Sequence, residues 1–423
     1  MTIAELYESR KDDPRLNTSY PLHPDDWAKY RVDGPLPFDH EKQLSFYIHI
    51  PFCKQLCSFC EYTRMLCPDE GMQERYLRTV AHDIRHFKEQ YQGFTFLGCD
   101  IGGGTPTALS EKNFLLLMEV YRNALKGLEL SSGFEPSIEA TFDTLTESKL
   151  DGIVNAGIHR LSLGVQSSCD AIMKRHRRLG NDERQMSDWL AIAERIGIKK
   201  VNLDFMYGFQ GQNEASIRRD IELIGHLHPQ QVTLYELRTN MLASNAPLSK
   251  EALYDQYSQY YDGIMGMGYK GRFGQNTFSM NADDEGVSSY LRERMINGAS
   301  YKGFGLSAQS MSCAGVSYNV GKLSKNPMQH LNDRGYQEEY TYLLPPKELA
   351  AKYMAISAYH GSFSVNRLLE LGIDKVFLDE RLGFCFSQDL LFMGENDRIF
   401  VTKKGFVHYG AVFSLFFEEG DKG

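Results

Sequence analysis

Three cysteines stand close together in the run Cys53-Lys-Gln-Leu-Cys57-Ser-Phe-Cys60, near enough for one loop to wrap an inorganic cube. Thiolates select iron-sulfur clusters or zinc, but a structural zinc site takes four ligands, commonly as paired CxxC knuckles, and no second knuckle follows. Cys67 is poorly spaced for a fourth ligand. Three ligands on a four-iron cube leave one iron open, so the spacing points to a cluster that binds a further molecule. Cys67, Cys99, Cys169, Cys313 and Cys385 are scattered and read as small buried hydrophobes.

Such a loop needs a rigid frame. From 44 to 240, short β-rich runs alternate with longer amphipathic stretches, the pattern of βαβ units around a parallel sheet. Strands are expected at 44–49, 96–101, 137–142, 160–165, 200–205 and 231–236. Leu77, Val80, Ile84 and Phe87 recur at helical spacing, and helices are also expected over 148–156, 183–196 and 216–227. Parallel strands with helical crossovers close into a full or partial barrel that gathers function at the strands' C-terminal ends. The cysteine loop follows the first strand and Gly102-Gly103-Gly104-Thr105 the second. Glu139 lies in the third, Gln166 ends the fourth and Asp204 lies late in the fifth, so all share one rim.

The expected fold class is therefore α/β, a partial (β/α)6 TIM-like barrel with extra strands and a small C-terminal α+β domain. Its expected divisions are an N-terminal extension over the barrel (1–43), the core barrel (44–240), a barrel extension (241–344) and the C-terminal module (345–423). The extension should hold a helix at 250–267 and Gly-rich strands near 272–278 and 301–310; the module, a strand at 398–402 and a final Phe-rich helix. A lid or packing role suits the module better than a DNA-binding winged helix, since no basic recognition helix stands out.

Apolar residues are 42% and charged residues 24% of 423, ordinary globular usage, and the formal charge of -9 argues against a nucleic-acid surface. The opening MTIAELYESRKDD has no apolar core, and no run approaches a membrane span. A cytoplasmic location without membrane or nucleic-acid partners is expected, where reducing conditions favour ligand thiols over disulfides.

The motifs resemble the radical SAM superfamily, named for S-adenosylmethionine, and within it the oxygen-independent coproporphyrinogen III dehydrogenases. The resemblance spans Thr18-Ser-Tyr-Pro21, Tyr47-Ile-His-Ile-Pro-Phe-Cys53, Gly102-Gly-Gly-Thr-Pro-Thr107, Gly164-Val-Gln166, Leu203-Asp-Phe-Met-Tyr-Gly208 and Gly305-Leu-Ser-Ala-Gln-Ser-Met311. It implies a [4Fe-4S] cluster on Cys53, Cys57 and Cys60 with SAM at the open iron, one or two SAM molecules in all. It implies that Gly103, Gly104 and Thr105 form the SAM amino-group loop, and that Glu139, Gln166 and Asp204 hydrogen-bond SAM. It further implies Arg178 near the SAM carboxylate, and Tyr47 and Phe59 flanking the cluster and adenine. His49 reads as a satisfied histidine beside the loop. Implied partners are a small-molecule substrate and a low-potential electron donor such as flavodoxin or ferredoxin.

The chain departs from the classical pattern at Glu61-Tyr-Thr-Arg64, where a Gly-x-Cys-type segment is expected, and at Gly274-Gln-Asn-Thr-Phe278, where a Met-Asp-His-Phe-like segment is expected. Three functions stay open on the sequence. One is tetrapyrrole chemistry, with Arg64, Arg238 and Arg272 as candidates to pair substrate carboxylates. Another is methyl or methylene transfer to an unsaturated small molecule, with the 305–311 segment helping a second SAM. The third is a haem-binding chaperone, although the His-Asn-x-x-Tyr-Trp-like motif of those relatives is missing from Ser310-Met-Ser-Cys-Ala-Gly-Val-Ser-Tyr318.

Overall fold

A computed structural model describes residues 1–11, 20–21, 24–179, 182–237, 248–322 and 326–417. Thr18, Ser19 and Arg238 fall outside the described residues.

Six parallel strands run in chain order, Gln43–Ile50, Thr95–Gly103, Ser137–Ala140, Arg160–Gln166, Lys200–Tyr207 and Gln231–Glu236. Helices cross between them because each strand's neighbours are parallel, and a parallel return needs a long connection. The helix Glu70–Gln90 starts on the Asp69 side chain, which accepts the Met72 N–H at 3.0 Å, and buries Leu77, Val80, Ile84 and Phe87. Helices Glu147–Asn155, Glu183–Ile196 and Glu214–Leu227 cross where periodicity places them. The helix Glu111–Leu125, which buries Phe114, Leu117, Met118 and Tyr121, adds a crossover beyond those expected from periodicity.

The sheet extends at both margins. Tyr301–Phe304 pairs parallel with the first strand, then Gln309–Ser312, Gly315–Asn319, Glu338–Leu343 and finally Arg31–Val32 add antiparallel. At the other margin Thr277–Ser279 adds antiparallel to the sixth strand. Among the described residues these two margins do not pair, so the sheet is an open, partial barrel. The strand expected over 272–278 is thus a correction: only Thr277–Ser279 is strand. Gly274 there has φ 88°, and a Cβ on it would meet Val401 at 2.4 Å, so this segment is shaped by packing on the C-terminal module. The third strand ends at Ala140, and a tight helical turn, Phe142–Thr144, replaces its expected end.

The C-terminal module combines the helices Pro346–Ser357 and Lys375–Ser387 with a three-stranded antiparallel sheet of Ser362–Ser364, Arg398–Val401 and Leu391–Met393. The N-terminal helix Ile3–Arg10 packs on it through Tyr7 against Phe384.

Candidate active site

The strand order puts the expected rim residues around one cavity of about 550 Å³ at the C-terminal ends of the parallel strands. Cys53, Cys57, Cys60, Phe59, Gly103, Gly104, Thr105, Glu139, Gln166, Arg178 and Asp204 all line it. Tyr47 does not. It stands behind the wall, stacked on Tyr290 with centroids 5.7 Å apart. Its hydroxyl lies 3.4 Å from His49 Nδ1. His49 is buried, its Nε2 is 2.9 Å from the Thr63 carbonyl, and burial lowers its pKa to about 4, as befits a satisfied neutral ring.

Tight packing explains the glycines. Cβ atoms on Gly102, Gly103 and Gly104 would lie 2.5 Å from the Glu139 carboxylate, 2.4 Å from the His49 ring and 2.9 Å from Cys53 Sγ. Only bare backbone lets the second strand's end lie against the cysteine loop. There Gly104 N–H donates to the Ile50 carbonyl and Thr105 N–H to the Phe52 carbonyl, both at 2.8 Å.

The thiols belong to no disulfide. Burial pushes Cys53 up to about 11 and raises Cys60, with the Arg64 guanidinium opposing both rises. Buried thiols so disposed become thiolates when a bound cation compensates them, which is the behaviour of metal ligands. Among the described residues no three His, Cys, Asp or Glu side chains converge to hold a single metal ion. Sulfurs on separate irons of a cube need no such convergence. The donor set and its open side toward the cavity fit a three-cysteine cluster.

Two carboxylates face the same space. Glu139 accepts the Gly103 N–H at 3.0 Å, and enclosure by protein raises its carboxyl to about 7. Asp204 accepts from Asn202 Nδ2 at 2.8 Å and Ser162 Oγ at 3.1 Å, and burial raises it to about 6. Beneath them Arg160 donates to Gln231 Oε1 at 2.8 Å and Ser137 Oγ at 2.7 Å, and its charge offsets part of both rises. Acceptors held this way suit a cationic ligand. Gln166 sits at φ 72°, where the fourth and fifth strands slip register. Arg178 donates toward Cys57 Sγ at 3.6 Å and to the Gly164 carbonyl, while its buried Nε has no partner.

The same cavity includes a basin lined by Trp27, Tyr318 and Tyr342 with Arg294, Lys322 and Lys352, the last donating to the Tyr20 carbonyl at 2.8 Å. The Arg294 guanidinium stands 5.0 Å from the Tyr301 ring and 6.0 Å from that of Tyr290, its buried Nε without a partner. Sequence reasoning missed these cations and Arg160. Only Arg160 carried a signal, being a charge that opens a buried, otherwise uncharged parallel strand. Glu61, Tyr62 and Arg64 line the cavity, as do Asn276 and Thr277. Arg272 does not: its guanidinium lies 3.9 Å over the Phe400 ring in the C-terminal module, which corrects its expected place beside the substrate. Of the 305–311 segment, Gln309 reaches the cavity wall.

Residues 47–224 match the radical SAM superfamily. Heme chaperone HemW of Haemophilus influenzae is 29% identical over 236 residues, 54% of this chain and 61% of that protein. HemW of Bacillus subtilis is 30% identical over 193 residues, 46% of this chain and 50% of that one. The oxygen-independent coproporphyrinogen III oxidase of Escherichia coli is 29% identical over 198 residues, 46% of this chain and 42% of that enzyme. These matches span about two-fifths to three-fifths of the relatives' own lengths. The solved structure of coproporphyrinogen III oxidase (HemN) from Escherichia coli superposes with a TM-score of 0.71 at 22% identity, covering 89% of this chain and 90% of that one, a likeness of fold. No helix among the described residues is long and apolar enough to cross a membrane. Residues 47–224 are therefore similar to the radical SAM superfamily, in a chain that resembles the oxygen-independent coproporphyrinogen III oxidases and shares the α/β fold of the solved HemN.

Proposed function

We propose that the chain acts on a tetrapyrrole related to coproporphyrinogen III or haem, using SAM and a [4Fe-4S] cluster on Cys53, Cys57 and Cys60. The observation that carries this reading is the continuity of the cavity, from the three thiols past Glu139 and Asp204 to an aromatic basin with three cations. When bound, cluster and SAM supply one-electron cleavage of the sulfonium to methionine and a 5′-deoxyadenosyl radical, and the chain's own task is placement and exclusion of water. The Gly103–Thr105 backbone would hold the SAM amino group, Glu139, Gln166 and Asp204 would hydrogen-bond SAM, and Arg178 would serve its carboxylate. Phe59 would pack on the adenine, while Tyr47 stands behind this wall. In the basin Trp27, Tyr318 and Tyr342 offer apolar faces to a flat macrocycle, and Arg294, Lys322 and Lys352 offer cations to its carboxylates.

Two further readings each have an observation behind them. Glu61, Tyr62 and Arg64 replace the classical post-cluster residues and line the cavity, which favours transfer of a SAM-derived carbon to an unsaturated substrate. Similarity to proteins named heme chaperone favours haem binding without turnover. Anaerobically reconstituted protein should contain about four irons and four sulfides and, once reduced, release 5′-deoxyadenosine in a porphyrinogen- or haem-dependent manner. Label from the SAM methyl group appearing in product would establish carbon transfer instead. Stoichiometric haem binding with no SAM cleavage would establish the chaperone. Zinc in place of iron would refute all but that last reading.

A further inference from the structure

The segment Lys174-Arg-His-Arg-Arg178 is only partly explained by the site. Arg178 turns inward to the cavity and His176 is buried, whereas Lys174, Arg175 and Arg177 are exposed. The same stretch is pinned to the outside of the cysteine loop. Ser58 N–H donates to the His176 carbonyl at 3.0 Å, Leu179 N–H donates to Gln55 Oε1 at 2.9 Å, and Ser58 Oγ lies 2.9 Å from His176 Nδ1. One residue inward from exposed Arg177, Arg178 reaches Cys57 Sγ at 3.6 Å. This is thin protein between solvent and the candidate cluster.

The surface over it has a distinct composition. Two leucines stand in solvent, Leu56 at 37% and Leu179 at 69% relative exposure. Around them lie Lys54, Lys174, Arg175 and Arg177, all exposed, on a chain whose formal charge is -9. Lys54 stands where this face meets the cavity, which it lines together with its partner Asp143 at 3.9 Å, and Arg175 donates to the Gln210 carbonyl at 3.0 Å. The side chains of Lys174 and Arg177 have no hydrogen-bond or ion-pair partner among the described residues. Asp170, at the start of the helix Asp170–Arg175, is the acidic residue on that element. A small apolar centre inside a basic rim suits a brief encounter with an acidic protein, because electron-transfer complexes work with small interfaces and are selected by charge complementarity.

We infer that this face, Lys54, Leu56, Lys174, Arg175, Arg177 and Leu179, is the docking surface for a small acidic one-electron carrier protein of the flavodoxin or ferredoxin kind. The inference rests on the cluster reading above. The carrier gives up one electron and the cluster gains it; no bond or proton moves.

The test uses the cluster-loaded full chain and a purified, pre-reduced acidic flavodoxin, with cluster reduction followed by anaerobic stopped flow. K174E/R177E should lower the second-order rate about tenfold or more at low salt and flatten its salt dependence, as loss of electrostatic steering requires. K174Q/R177Q should fall between that variant and wild type. Both should keep the wild-type iron content and be fully reduced by dithionite. A control pair on the C-terminal module, K375E/K403E, should leave the rate unchanged. Wild-type rates in K174E/R177E, equal slowing in the control pair, or loss of iron in both patch variants each overturn the inference. Wild-type protein that holds no iron would instead overturn the cluster reading.

Discussion

Replacing Glu139 with Gln tests the electrostatics of the candidate SAM site directly. The carboxylate accepts the Gly103 N–H through Oε2 at 3.0 Å and presents its remaining acceptor positions to the cavity. Glutamine keeps the shape and an oxygen for Gly103 but loses the negative charge. A hydrogen bond with a charged acceptor contributes about 1.5–3 kcal/mol, so Glu139→Gln should weaken SAM binding by about 10- to 150-fold at pH 8. Direction with pH follows from the carboxyl at about 7. Cationic SAM binds the ionised form better, so wild-type affinity should rise from pH 6 to pH 8, by at most about tenfold per unit below the pKa. Asp204, at about 6, adjoins Glu139 electrostatically and should steepen the loss below pH 6, the two titrating as a pair. In Glu139→Gln the slope between pH 6 and 8 should largely vanish. Anaerobic calorimetry of SAM into cluster-loaded protein at three pH values reads both effects. A variant that binds within about threefold of wild type at pH 8, or that keeps the wild-type pH profile, refutes the assignment of Glu139 to SAM.

Arg294→Gln should raise the KM for a carboxylate-bearing substrate about 10- to 100-fold, the loss of one charged contact, while SAM affinity stays near wild type. Steady-state kinetics alongside anaerobic calorimetry of SAM separates the two. Gly104→Ala puts a methyl 2.8 Å from the Phe52 carbonyl oxygen and 2.9 Å from Cys53 Sγ. It should destabilise the chain by about 1–3 kcal/mol and lower iron retention, read by thermal melting and metal analysis. Gly127→Ala, at φ 79° with open space around its Cβ, is the matched control. It should cost about 1 kcal/mol and leave the iron content unchanged.

The parallel strands and most crossovers were legible because alternation of apolar strand and amphipathic helix reflects what each element must bury. Strand ends were less legible. The expected end of the third strand became a tight turn, and the expected strand over 272–278 was reduced to Thr277–Ser279, since Gly274 is held by contact with Val401 from a distant segment.

The cysteine spacing, the glycine run and the β/α rhythm are local properties, so the sequence by itself determined the candidate ligands, the rim they occupy and the fold class. The basin was decided only in three dimensions. Trp27, Arg294, Lys322 and Lys352 come from segments far apart in the chain, and no local period marks a residue whose partner lies across a cavity. Arg272 is the converse case: suitable chemistry in a suitable stretch, turned away because the Phe400 ring of the C-terminal module takes its guanidinium. Spacing along the chain fixes what one loop can bind, whereas packing between distant elements fixes which side chains meet in the space that remains.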